Sequence, residues 1–119
     1  MRNFETGATR NNSENKPDYA AFLSMSAMKA FGEYMHSHRT QADGTVRDGD
    51  NWKKGIPIDC YKESGTRHWF DVLTLLESGE KTLTNYDGEE VDLQDCLSAM
   101  MFNVQGMLHE VIKEKNDTN

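Results

Sequence analysis

The sequence predicts an all-α domain: a three- to four-helix bundle with an irregular N-terminal arm and a long Trp/Lys/Gly/Pro loop. Three observations predict it. Apolar residues recur at helical spacing in three separate segments, turn-forming residues bound each segment, and no stretch reads as a clear strand.

Residues 1–18 are polar and rich in Asn, Gly and Thr, with Phe4 and Tyr19 as flanking anchors, which reads as an arm rather than a packed element. Over residues 20–38, Leu23, Met25, Met28, Phe31, Tyr34 and Met35 recur at helical spacing, with Asp18, Ser24 or Ser26 available as a cap. That helix ends before the turn-rich Gln41-Ala42-Asp43-Gly44. Residues 45–58 then bring Asp-Gly, Asn, Gly and Pro in quick succession, so they form a loop.

A second helix is expected over residues 59–77, with Tyr61, Gly65, His68, Val72 and Leu75 as its stripe and Trp69 and Leu76 widening it. Pro57 stands at its start, where a missing N–H costs nothing, and Gly79 follows as a C-cap. After a connector with the turn Asn85-Tyr86-Asp87-Gly88, a third helix is expected over residues 90–113. Leu93, Leu97, Met100, Met101, Val104, Met107, Leu108 and Val111 give it a continuous apolar face. The tail, residues 114–119, is expected to fray. Residues 1–119 make one domain.

Composition narrows the function. Only 36% of residues are hydrophobic while 28% are charged, a thin core for a lone globule, so a homo-oligomer is expected. The net charge of −7 argues against binding a nucleic-acid polymer, which needs clustered Lys and Arg. Cys60 and Cys96 form no CxxC pair and read as buried, reduced thiols. No apolar leader and no run of ~18 apolar residues occurs, so neither secretion nor membrane insertion is encoded and a cytoplasmic location is expected.

Three features carry possible chemistry. On the second helix, His68 and Asp71 are three apart and can converge on one ion or proton, with Arg67 on the same side; a core histidine and an Arg67–carboxylate pair are the plainer reading. On the third, Asp92, Cys96, Ala99, Asn103, Gly106 and Glu110 fall on one narrow stripe, with Asp95 close by. The small Ala99 and Gly106 admit a partner helix or a ligand, and a half-buried Asn103 must bridge helices or bind a ligand. Asp92 and Asp95 can offer oxygens to Mg²⁺ or simply complement the helix dipole. In the Asn51-Trp52-Lys53-Lys54-Gly55-Ile56-Pro57 loop, two lysines before a helix start suit phosphate and Trp52 suits a base; alternatively Trp52 plugs the bundle end.

The chain resembles a family found mostly in bacteriophages, the dATP/dGTP diphosphohydrolases, distantly similar to the all-α MazG-like nucleotide pyrophosphatases. The resemblance rests on Gly7-Ala8-x-Arg10, the Asn51–Pro57 block, Ser64-x-x-Arg67-His68 and Asp95-x-Leu97-x-Ala99-x-x-Phe102-Asn103. It implies an oligomeric, all-α, Mg²⁺-dependent (or Mn²⁺-dependent) pyrophosphohydrolase of purine deoxynucleoside triphosphates. The implied metal ligands are His68, Asp71, Asp92 and Asp95, with Asp71 and Asp95 catalytic. Arg10, Asn51, Trp52, Lys53, Lys54, Arg67 and Asn103 would hold the nucleotide. Gln94 and Cys96 stand where relatives often carry Glu and His, which thins the metal site. The alternative is therefore a non-catalytic binder, such as a phage sponge for a cyclic-oligonucleotide or ADP-ribose type defence signal. A purely structural helical adaptor is the third reading.

Overall fold

The computed structural model of the chain describes residues 1–117. It is mostly helical, with two small antiparallel sheets. β1 (Arg2–Asn3) and β2 (Thr9–Arg10) pair in the arm. Helices α1 (Tyr19–Phe22) and α2 (Met25–Ser37) follow, then a 3₁₀ turn at Asn51–Lys54 and the long helix α3 (Ile58–Ser78). β3 (Thr82–Thr84) and β4 (Glu90–Asp92) form a hairpin that leads into α4 (Leu93–Asp117).

Helices α3 and α4 make the body, an antiparallel pair whose contact runs along small residues. Tyr61 of α3 lies over Gly106, Gly65 faces Asn103, and Val72 and Leu75 pack with Cys96. The small Ala99 side chain and the bare backbone of Gly106 let the two helices approach, and the Tyr61 ring, 2% exposed, fills the space above Gly106. The hairpin turns Leu83 and Val91 inward onto the Val72–Leu75–Cys96 cluster and closes that end. Phe31 is the buried residue of α2, which crosses α4.

Several expectations are corrected. The predicted helix over residues 20–38 is two helices, because Leu23 is extended between two caps: Asp18 accepts from the Ala21 N–H and Ser24 from the Ala27 N–H. The strands escaped notice because each has only two or three residues. The β3–β4 turn is built by Asn85, whose Oδ1 accepts from the N–H groups of Asp87 and Glu89, and by Gly88 at φ 79°. Residues 90–92 are therefore strand, not helix. Helix α4 continues through Asp117 where fraying was expected from residue 114; residues 118–119 of that tail lie outside the described residues.

The largest correction concerns which face of α4 is buried. The narrow stripe of Cys96, Ala99, Asn103 and Gly106 is inside, while Leu97, Val104, Leu108 and Val111 of the expected apolar face are exposed. Trp69 and Leu76 on α3 are exposed too, as is Cys60.

Candidate functional site

Two adjoining cavities, which share Tyr34 and His38 in their walls, bring together the groups with chemistry. The first, of about 570 Å³, lies between the end of α2, the loop after it, the 3₁₀ turn and Phe102 of α4. The loop is folded back on itself: Thr40 bridges Val46, the Arg47 N–H donates to the Arg39 carbonyl, and Arg39 Nε donates to the Arg47 carbonyl at 2.7 Å. At the loop's tip Asp43 accepts from both the N–H and the hydroxyl of Thr45, which holds its carboxyl below the usual range. The fold-back sets Arg39 and Arg47 into one wall, with Asp48 next to Arg47 in the same lining.

Asn51 and Trp52 line the same cavity. The indole is fixed from behind by an edge-on contact with His109 at 4.8 Å, and the Lys53 ammonium sits 5.7 Å from its ring centroid. Tyr34 stacks on His38 at 4.0 Å, and the His38 Nδ1 lies 2.8 Å from the Tyr34 carbonyl.

The second cavity is small, about 140 Å³, and acidic: Asp71, Asp87, Glu89 and Asp95 line it with His68 and Cys96. The negative field is visible in its neighbours. Burial, then repulsion from Asp95 and Glu89, pushes the Tyr34 phenol up to about 12. Burial, then Asp71 and Asp95, pushes the Cys96 thiol up to about 11. His68 is moved the other way, below 6.5, because burial outweighs the attraction of Asp71. Burial thus favours its neutral imidazole.

The fold thus gathers Asn51 and Trp52 in one cavity and His68, Asp71 and Asp95 in the other. The remaining expected site residues are elsewhere. Asp92 and Asp95 cap the start of α4 reciprocally: Asp92 Oδ1 accepts from the Asp95 N–H at 2.8 Å and Asp95 Oδ2 from the Asp92 N–H at 3.0 Å. Asp92 does not reach the acidic cavity. Arg67 pairs with Glu63 along α3 at 3.0 Å. Asn103 donates to the Ala99 carbonyl at 2.8 Å and packs on Gly65, so it serves the α3–α4 contact rather than either cavity. Lys53 and Lys54 are exposed beside the first cavity without lining it, and Arg10 is in the β1–β2 arm.

Sequence reasoning missed Arg39, Arg47, His38, Asp87 and Glu89. The two arginines meet through a turn whose closure no spacing announces, and Asp87 lies within, and Glu89 just after, a turn whose sequence marks it only as part of a connector. Among the described residues, no three His, Cys, Asp or Glu side chains form a ready-made metal cage. The donor types of the acidic cavity nonetheless fit Mg²⁺ or Mn²⁺, hard ions that favour carboxylate oxygen. Comparison of the chain with known protein families, with curated proteins and with solved structures finds no match in any of the three.

Proposed function

We propose that the chain binds a purine deoxynucleoside triphosphate across the two cavities and, with Mg²⁺, hydrolyses a phosphoanhydride bond, acting as a cytoplasmic homo-oligomer. The observation that carries this reading is the junction of a cationic, aromatic cavity with an acidic one through Tyr34 and His38. A nucleotide has the same polarity of parts. Its base suits Trp52, an aromatic platform already braced by His109. Its phosphates suit the Arg47 fork and the terminal N–H groups of Arg39, whose Nε is already given to the Arg47 carbonyl.

Asp71, Asp87, Glu89 and Asp95 would hold the divalent ion. An ion held by these carboxylates would supply charge neutralisation at the phosphates and a more acidic water. The His68 imidazole, whose neutral form burial favours, is available to accept a proton within that wall. The pocket's Tyr34, held protonated first by burial and then by its acidic neighbours, can donate to a phosphate oxygen but does not act as a base at pH 7.

A second reading, binding without turnover, is favoured by one observation. Asp95 already spends an oxygen on the Asp92 N–H, and Asp92 is committed to the same cap. Two of the four expected metal ligands therefore hold the helix start. The resemblance to phage diphosphohydrolases supports either reading, since a sponge for a nucleotide-derived signal needs the same grip.

Incubation of the purified chain with dNTPs, NTPs and cyclic oligonucleotides plus Mg²⁺ or Mn²⁺, followed by chromatography, separates the two. Pyrophosphate and a deoxynucleoside monophosphate are the expected products, lost in Asp71→Asn, a mid-helix residue that caps nothing. An intact nucleotide released only on denaturation establishes the second reading. Absence of both turnover and retention refutes each.

A further inference from the structure

We infer that Phe102 is the second wall of the base site, so that a planar base stacks between Trp52 and Phe102 in the first cavity. This rests on the nucleotide reading above, which gives Phe102 no part in binding. Both rings are half-buried and line the cavity. Each is braced by another ring that does not line it: His109 meets the indole at 4.8 Å and Tyr61 meets the Phe102 ring at 5.7 Å, both edge-on. A ring already held in place loses little freedom when a ligand stacks on it, which makes both rings preorganised platforms.

The spacing fits a sandwich. Phe102 and His109 are seven residues apart on α4, so they share a face and stand about 10.5 Å from each other along the axis. Trp52 is carried at the His109 end of that interval. Two stacking contacts in series, each about 4.5–7 Å between ring centroids, span about 9–14 Å. One base between the two walls therefore fills the interval.

The rest of the lining says that this part of the cavity takes the base and not the phosphates. Met35 and Ile56 add apolar surface, which a polyanion avoids. Gly32, in mid-helix on α2, lines the cavity too, and a Cβ there would meet no atom within 4 Å. Glycine is a poor helix former and no packing neighbour calls for it here, so what its bare backbone provides is room in the cavity. A sandwich reads flatness and area rather than edge groups, so a purine gains more from it than a pyrimidine.

Isothermal titration with Mg²⁺ tests this with two ligands: the non-hydrolysable α,β-imido analogue of dATP, and inorganic tripolyphosphate, which has the charge without the base. Wild type is expected to bind the dATP analogue more tightly. Phe102→Leu, which keeps apolar bulk but loses the ring face, is expected to weaken the analogue about 3- to 10-fold and leave tripolyphosphate unchanged. Phe102→Tyr is expected to bind both as wild type does. Equal losses for the two ligands would make Phe102 a support of the fold, and no loss for either would leave the base on one wall; each overturns the inference. Tripolyphosphate bound by wild type as tightly as the analogue overturns it too, while leaving the phosphate grip. If wild type binds neither, the nucleotide reading itself falls and takes this inference with it. Should Phe102→Leu unfold, photolysis of 8-azido-dATP on wild type decides. Crosslinks on the peptides bearing Trp52 and Phe102 support the sandwich, and crosslinks confined to the Trp52 peptide overturn it.

Discussion

Gly106→Ala tests the α3–α4 contact that positions the whole site. A Cβ at residue 106 would lie 2.2 Å from Tyr61 Cζ, 2.3 Å from Cε1 and 2.7 Å from the phenol oxygen. Carbon atoms in contact sit about 3.5–4.0 Å apart, so the ring or the helix must move by more than 1 Å, roughly. The ring has no slack, being 2% exposed and edge-on to Phe102 at 5.7 Å. Overpacking of this kind costs about 1–3 kcal/mol, and clashes with two ring atoms and the phenol oxygen argue for the upper end. Alanine returns about 1 kcal/mol over glycine as a helix former. The net expectation is a loss of about 2 kcal/mol.

Gly65→Ala is the internal control. There the nearest atom, Asn103 Cβ, is 3.2 Å away, so a shift of a few tenths of an ångström suffices and the helix-forming gain offsets it. A change within about 0.5 kcal/mol of zero is expected. Urea unfolding followed by circular dichroism at one fixed protein concentration measures both, the fixed concentration being needed because association adds to apparent stability. If Gly106→Ala matches or exceeds the stability of wild type, or if the two variants are indistinguishable, the close approach of these helices is wrong.

Three further outcomes follow from the same geometry. Asp92→Ala, which removes the Oδ1 acceptor for the Asp95 N–H, is expected to lower stability by about 1 kcal/mol in urea while leaving nucleotide binding intact. His68 binds its proton less readily when folded than when unfolded, so its contribution is full above pH 6.5 and is lost as pH falls below that value. The urea midpoint should accordingly be lower at pH 5.5 than at 7.5 by an amount that His68→Asn reduces, with an imidazole NMR midpoint below 6.5. Of the two thiols, the exposed Cys60 should react with a disulfide reagent at once in native protein, whereas Cys96, buried and held near 11, should react only on unfolding.

How much of this was legible in the sequence depended on the range of the forces involved. The three long apolar periodicities report local geometry, and each became helix. The caps at Asp18 and Ser24 were visible as candidates, but not that both are used, which breaks one predicted helix into two. On α4 the eye follows Leu, Met and Val to the buried side, yet the small stripe won because two helices that touch over Gly65 and Gly106 need glycine and alanine more than bulk. The bulky Leu97, Val104, Leu108 and Val111 are left exposed on the other side.

The candidate site divides the same way. His68, Asp71 and Asp95 were readable because helical spacing fixes the first two and the helix pairing brings the third. Arg39 and Arg47 were not, since only the Thr40–Val46 bridge and the Arg39–Arg47 backbone bond bring positions eight apart to one wall. Asp87 and Glu89 enter through the Asn85 turn, held by two bonds to the Asn85 side chain and two between backbone groups, and only the packing of the hairpin beside α3 and α4 brings them to the cavity. Arg67, by contrast, found its partner four residues away on its own helix, where an exposed pair stabilises little.

The most direct test of the central claim is isothermal titration of the chain with dATP in the presence of Mg²⁺, for wild type and Arg47→Ala in parallel. The account predicts saturable binding by wild type and a loss of about 1.5–3 kcal/mol in the variant, the worth of a charged hydrogen bond. Equal affinity for the two proteins, or no heat of binding with millimolar dATP, would contradict it and leave the paired cavities without a nucleotide.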